Sequence, residues 1–385
     1  MKILIFASHP IQYQAPIYRA LHNSFDLKVI YLLNQTSKQQ ADAGFGVEFE
    51  WDVPLLDGYD YEYLKNYADN PSSSKYNGII INNKELHALM LKEQPSIVII
   101  NGWFPKGLKQ IINYCYQNKI KSICRGDSTL LMTNNKIKKI AKEIYIRSIL
   151  RKINAFLYVG NENKKYYLHY GVKENQLYPG LHCINTPFFK EHFNQNPKRK
   201  FDINSIKIGF AGKFIAIKQP LLLIEAIKKS NYKNNIQVQF IGDGPLKKDI
   251  INSAKQNDVS INFLGFLNQS EIVKKGYSAI DFLVLPSTSE TWGLVVNEVM
   301  TGGIPCIVSN TVGCHTDLIK DGETGFVFNY KDVNDLAKKI DAMITLMKTN
   351  NQLLTKNVLN TIDFFSLDNT ITSFKDAING LITES

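Results

Sequence analysis

The chain predicts two doubly wound α/β domains, each a parallel sheet with helices on both faces. Three observations carry that expectation. Short apolar runs rich in branched residues alternate with amphipathic stretches, the pattern of βαβ units. The length, 385 residues, exceeds what one core holds, since single cores stop growing near ~250–300 residues. The alternation is interrupted from Pro187 to Phe201, a polar, unpatterned segment containing an Asn-Pro-Lys-Arg-Lys run, which reads as an interdomain linker. Domains are therefore expected at 1–190 and 191–364.

Met1-Lys-Ile-Leu-Ile-Phe-Ala7 reads as the first strand: it is too short for a signal h-region and lacks a small-residue cleavage site. Further strands are expected at 27–33, 97–101 and 154–159, the last followed by Gly160-Asn161. The second half repeats the scheme near 206–211, 236–241, 261–264, 281–285 and 304–308. Phe364 to Gly380 has the spacing of one more amphipathic helix. With 44% hydrophobic residues and 11% aromatics the chain can bury two cores, which excludes disorder. No run of ~18 apolar residues is present, so no transmembrane helix is expected and the chain reads as cytoplasmic, soluble or peripheral. Cys115, Cys124, Cys183, Cys306 and Cys314 show no C-x-x-C pairing, which argues against zinc and a disulfide framework and for buried thiols.

The net charge of +10 is unevenly placed. Residues 136–152 carry Lys136, Lys138, Lys139, Lys142, Arg147, Arg151 and Lys152 against Glu143. Ile137, Ile140 and Ile144, then Ile146, Ile149, Leu150 and Ile153, fall at helical spacings. Segment 136–153 is thus a basic amphipathic helix, suited either to an anionic membrane surface or to ordinary packing on the sheet. No nucleic-acid-binding motif accompanies the charge, so nucleic acid is not expected as a partner.

The densest chemistry lies in Ser287 to Pro305. An apolar strand, Asp281-Phe-Leu-Val-Leu-Pro286, runs into a loop carrying Glu290, and the pattern turns helical after Trp292-Gly293, with Glu298 about two turns in. The glycine-containing helix start offers free N–H groups that suit an anion. A phosphate in the middle with hydroxyls at both ends is the shape of a nucleotide sugar. Lys213 and Lys218 follow another strand end, Ile208-Gly-Phe-Ala-Gly212; two cations can neutralise a leaving diphosphate without a metal, and the chain contains no Asp-x-Asp.

Glu290 and Glu298, with seven residues between them, resemble the E-x7-E motif of retaining glycosyltransferases of the GT-B fold, family 4. Ile208 to Lys218, Phe240-Ile-Gly-Asp-Gly-Pro245, Phe263-Leu-Gly-Phe-Leu267 and Gly313 to Gly325 resemble, in order, other segments of that family's donor domain. The likeness is dense from about 205 to 330 and thin in the first 190 residues. It implies two Rossmann-like domains facing across a cleft, with the last helix, 365–385, packing back on the first. It also implies transfer from a nucleoside diphosphate sugar, UDP before GDP, without a metal or other cofactor. Glu298 would take the ribose hydroxyls and Glu290 those of the donor sugar. Backbone groups near Gly212, Gly242, Thr291, Trp292, Gly293 and Leu294 would contact phosphate or sugar, with Phe266 and Leu267 flanking the base. The family usually has arginine at the first basic position; Lys213 keeps the charge and loses the bidentate grip.

The first half departs from the family. Ser8-His9-Pro-Ile-Gln12 stands where a glycine-rich loop is usual, and the loop Cys124-Arg125-Gly126-Asp127-Ser128 offers Asp127 where many members place histidine. His9, Gln12, Trp103, Arg125 and Asp127 are the acceptor-side candidates, and His9 and Asp127 join Lys213, Lys218 and Glu290 as catalytic ones, with structural roles open for His9 and for Asp127 as a turn or capping residue. The acceptor expected from the resemblance is a glycan, free or carrier-linked, in surface polysaccharide or glycoconjugate synthesis. Two other readings stay open: a non-catalytic nucleotide-sugar-binding subunit, and a nucleotide-sugar epimerase of the same fold.

Overall fold

The computed structural model describes residues 1–34, 50–131 and 137–383, the side chains of 137–141 excepted. The chain divides into two compact units: Met1–Gln35, Pro54–His182 and Leu367–Ser385 form one, Thr36–Val53 and Cys183–Ser366 the other. The chain thus leaves the first unit at His182 rather than at 190, and residues 50–53 belong to the second, where Asn268 Nδ2 donates to the Glu50 carbonyl at 2.6 Å.

In the first unit the strands are β1 (Lys2–Ala7), β2 (Asp26–Tyr31), β3 (Asp60–Tyr63), β4 (Ile97–Asn101), β5 (Lys121–Gly126), β6 (Ala155–Tyr158) and β7 (Leu177–Pro179). They form a single seven-stranded sheet in the order β3-β2-β1-β4-β5-β6-β7, every pair parallel. Helices α1 (Ala15–His22), α2 (Asn83–Glu93), α3 (Lys106–Gln117), α4 (Ile137–Leu150) and α5 (Asn161–His169) supply the crossovers. Central strands covered on both faces read as unbroken apolar runs, which is why Ile3 to Ala7 and Ile97 to Ile100 are buried throughout. The chain's last helix, Leu367–Thr383, packs on β5, β6, β7 and α1 and buries Phe374, Ala377, Ile378 and Leu381.

The expected amphipathic helix falls on α4, with Lys136 and the side chains of Lys138, Lys139, Ile137 and Ile140 outside the described residues. Ile146, Ile149, Leu150 and Ile153 are buried as the spacing predicts, but Ile144 is 65% exposed, so it does not belong to the apolar face. Ile146, Ile149 and Leu150 share one stripe of α4, Ile144 lies off it, and Ile153 follows the helix end. Two of the basic residues are engaged locally: Arg147 donates to Glu143 at 2.8 Å and to the His169 carbonyl at 2.8 Å, and Lys152 donates to Asn113 at 2.7 Å. Among the described residues no helix is long and apolar enough to cross a membrane.

The second unit repeats the winding. Its strands β8 (Ile206–Ala211), β9 (Ile236–Ile241), β10 (Ser260–Gly265), β11 (Phe282–Leu285), β12 (Cys306–Ser309) and β13 (Gly325–Phe328) form a parallel sheet in the order β10-β9-β8-β11-β12-β13. The longer helices are α6 (Thr186–Gln195), α7 (Pro220–Lys228), α8 (Lys247–Asn257), α9 (Leu294–Thr301) and α10 (Val333–Phe364), the last broken at Asn350. In each sheet the strand order reverses between the first strand and the fourth, β1/β4 and β8/β11, which is where such sheets bind ligands.

The expected linker from Pro187 is mostly helix α6. Asn185 caps it by accepting from the Phe188 N–H, proline sits in its first turn, and Phe189 and Phe193 are buried. A Cβ at Gly302 would lie 2.3 Å from the Phe193 ring, so α9 and α6 meet at a position only glycine allows. Beyond α6, Lys198 donates to the Gly303 carbonyl and to Thr355, each at 2.7 Å, and Arg199 pairs with Asp281.

Candidate functional site

At the carboxyl end of β8 the backbone turns sharply through Gly212, and Gly212 N–H donates to the Ile241 carbonyl at 2.9 Å. Gly242 has φ +125, and a Cβ there would stand 2.2 Å from the Gly212 carbonyl oxygen, so the two strand ends approach more closely than any side chain permits. The chain then presents Lys213 and, from the 3₁₀ turn Ala216–Lys218, Lys218. Thr288 N–H donates to the Ile217 carbonyl at 2.8 Å, tying this loop to the one after β11.

That second loop carries Glu290. Its backbone is fixed by the loop after β12: Gly313 N–H donates to the Glu290 carbonyl at 3.0 Å and Cys314 N–H to the Trp292 carbonyl at 3.0 Å. Glu290 Oε2 forms an ion pair with Lys218 Nζ and receives the Ser287 hydroxyl at 3.5 Å. Burial, and then the neighbouring Lys218, hold the Lys213 ammonium below the usual lysine range, with Glu290 opposing them. Lys213, Lys218 and Glu290 therefore sit in one electrostatic cluster.

Gly293 precedes α9 with φ +101, and a Cβ would press on Leu285 at 3.0 Å and Val312 at 3.1 Å. The helix starts at Leu294, where the pattern placed it, and Glu298, four residues on, lies a little over one turn in rather than two. Glu298 is 4% exposed and accepts a hydrogen bond from the Tyr277 hydroxyl. The Trp292 side chain points inward, donating to Asn297 at 2.8 Å with its ring centroid 5.6 Å from that of Phe365, which leaves backbone as its part of the loop surface. Thr291 is exposed, and Phe266 and Leu267 are half-buried just past β10, where Gly242 N–H donates to the Gly265 carbonyl at 2.7 Å.

In the first unit the candidates gather at the adjoining ends of β1, β4 and β5. Burial lowers the His9 imidazole to about 4, and Ser8 Oγ lies 3.0 Å from His9 Nδ1. Gln12 is buried. Gln14 and Asn101 both hydrogen-bond the buried Tyr18 hydroxyl, Gln14 at 2.7 Å. Trp103 is mostly buried, donates to Ser128 at 3.2 Å and stacks on Tyr166, while Lys109 Nζ lies 5.7 Å from its ring. Cys124-Arg125-Gly126, expected as loop, is the end of β5. Arg125 is buried and donates to the carbonyls of Gly180 at 3.3 Å and Leu181 at 3.1 Å, so its guanidinium fastens the β7 exit, and its charge also reaches the buried Tyr18 hydroxyl. Asp127 is half-buried beyond the strand end, well before α4 begins, so it is not that helix's cap.

Tyr277, Ser287 and Tyr18 were not anticipated from sequence. Tyr277 is separated from Glu298 by a whole strand and loop, and a lone buried tyrosine has no periodic signature. All five cysteines are free and buried, and burial pushes the Cys115 and Cys124 thiols up to about 12.

Residues 191–357 match the family model Glycosyl transferases group 1. The chain is 28% identical over 241 residues to Protein CapJ of Staphylococcus aureus, covering 61% of this chain and 57% of that one. It is 31% identical over 148 residues to the UDP-Gal:alpha-D-GlcNAc-diphosphoundecaprenol alpha-1,3-galactosyltransferase of Escherichia coli, covering 37% of this chain and 36% of that one. The chain spans from 21% to 57% of the lengths of such curated relatives. Anabaena Alr3699/HepE, solved in complex with UDP, superposes with a TM-score of 0.71 at 12% identity, covering 98% of this chain and 100% of that one. The chain has the GT-B fold, and within it residues 191–357 match the glycosyl transferases group 1 family model.

Proposed function

We propose that this protein is a retaining glycosyltransferase that moves a sugar from a nucleoside diphosphate sugar onto a glycan. The observation that carries the reading is the cluster of Lys213, Lys218 and Glu290 at the ends of β8 and β11, inside the group 1 domain. Lys218 is charge-balanced by Glu290. A diphosphate would take over Lys218, and Glu290 would turn its oxygens to the donor sugar's hydroxyls. As the glycosidic bond to the phosphate breaks, negative charge grows on the leaving oxygen, and the two ammonium groups stabilise it without a metal. That oxygen then takes the acceptor hydroxyl's proton on the face from which the new bond forms, so configuration is retained and no strong protein base is required.

UDP is the favoured nucleotide, supported by the UDP bound to a protein of the same fold and the UDP-Gal in a relative's name. That relative's acceptor is lipid-carried, which supports a carrier-linked glycan here, held by the first unit, with α4 resting on anionic lipid. Anomeric analysis of the product by NMR tests the reaction: retained configuration supports it and an inverted linkage refutes it. Donor isomerisation without transfer would make the protein an epimerase, and donor binding without turnover a carrier subunit. Flotation with phosphatidylglycerol vesicles tests the membrane contact, which salt should weaken strongly.

A further inference from the structure

The hydrogen bond between Tyr277 and Glu298 places a donor where the reading above needs a fixed acceptor. Tyr277 occupies the short turn Tyr277–Ala279 just before β11 and is 1% exposed. Glu298 is 4% exposed on α9. A carboxylate so buried keeps its charge only when hydrogen bonds replace lost hydration, and an O–H donor to a carboxylate is among the stronger ones. The neighbouring residue on α9 is held the same way, because Asn297 is fully buried and accepts from the Trp292 indole at 2.8 Å. Two aromatic side chains thus pin consecutive residues of one helix, and its rotation about its own axis is set. The turn also reaches the base side: a Cβ at Gly276 would lie 3.2 Å from Leu267 and 3.0 Å from Ile241, so little separates the turn from the expected base-flanking residue.

We infer that Tyr277 is a positioning residue that aims the Glu298 carboxylate at the nucleotide's ribose hydroxyls, and so sets discrimination between ribonucleotides and nucleotides lacking those hydroxyls. The inference rests on the donor-site reading of Glu298. A rigid ring with few rotatable bonds is a suitable anchor, since recognition at this distance tolerates about 0.5 Å of error.

The test is a ratio of dissociation constants for the tighter-binding of UDP and GDP and for its 2′,3′-dideoxy analogue. The wild-type protein should favour the ribonucleotide about tenfold or more, as expected for hydrogen bonds to a charged acceptor. Tyr277→Phe keeps the ring and removes the donor; it should collapse most of that ratio and raise donor KM more than it lowers kcat. A merely structural tyrosine would lower the melting temperature and leave the ratio intact, which would overturn the proposal. Glu298→Ala separates the two levels. If it collapses the ratio while Tyr277→Phe does not, the positioning claim falls and the donor site stands; if it leaves the ratio unchanged, both fall. A second pair does not depend on Tyr277→Phe folding. Glu298→Gln keeps an oxygen within reach of Tyr277, whereas Glu298→Asp withdraws it, so Gln should preserve more of the ratio. The reverse order would contradict the inference.

Discussion

The two units share one winding and finish it with different chemistry. At the carboxyl ends of the second sheet stand Lys213, Lys218 and Glu290 on loops shaped by glycines with positive φ, and Glu298 on α9 just behind them. At the same ends of the first sheet the groups are mostly uncharged: a histidine held neutral by burial, Asn101, Gln14, Tyr18 and Trp103, with Asp127 at the margin. Architecture fixes where ligands go, and side-chain charge fixes what kind. Charged loops suit a diphosphate, and neutral donors, acceptors and rings suit sugar hydroxyls and sugar faces.

That contrast breaks most visibly at Lys218. Lys218→Ala should lower kcat by roughly 10²–10³, the cost of removing one stabiliser of developing charge, with a smaller change in donor KM. Steady-state kinetics with varied donor checks it, and a pure KM effect would remove Lys218 from the leaving-group side. Glu298→Ala should do the opposite, weakening nucleotide binding about tenfold or more with kcat less affected, because ribose contacts are the same in ground and transition states. Calorimetric titration of the nucleotide reads this directly.

How much of this was legible in the sequence follows the same division. The second unit's strands at 206–211 and 236–241 coincide with β8 and β9, and the Lys213, Lys218 and Glu290 convergence followed from residues whose spacing is dictated by glycines and strand ends. Of the strands that escaped notice, β13 is an apolar run of four residues, Gly-Phe-Val-Phe, and the others have weak apolar signal. β3 reads Asp-Tyr-Glu-Tyr on an edge, β7 has three residues ending in proline, and β5 was hidden by its polar end, Arg125-Gly126. Helix α6 was misread because Lys190, Glu191, His192 and Asn194 masked Phe189 and Phe193, whose burial only the fold reveals. Arg125 shows the general difficulty: two carbonyls far along the chain, those of Gly180 and Leu181, accept from its guanidinium, and no spacing in the sequence announces them.

The first unit offers two finer tests. Asp127→Asn should slow transfer about tenfold if the carboxylate orients an acceptor hydroxyl, while nucleotide affinity stays at the wild-type value. A loss of nucleotide affinity instead would erase the distinction between the units. The smallest effect concerns His9. Its folded pKa of about 4 lies below the ordinary 6.5 because burial disfavours the charged ring, so the unfolded chain binds more protons between those values. Stability attributable to His9 is present above about pH 6.5 and is lost as pH falls toward 4. The melting temperature of His9→Gln should therefore fall less steeply than that of the wild type across this window, and parallel curves would show that His9 is not held neutral.

The most direct test of the central claim is nucleotide-induced stabilisation of the wild-type protein and of the double variant Lys213→Ala/Lys218→Ala. A nucleoside diphosphate at 100 times its dissociation constant adds ~2.7 kcal/mol to stability, a readily measured rise in melting temperature. UDP is expected to produce that rise in the wild type, GDP less, and neither to do so in the double variant at the same concentration. An equal rise in both proteins would contradict the account, because the diphosphate would then be bound somewhere other than the lysine cluster between β8 and β11.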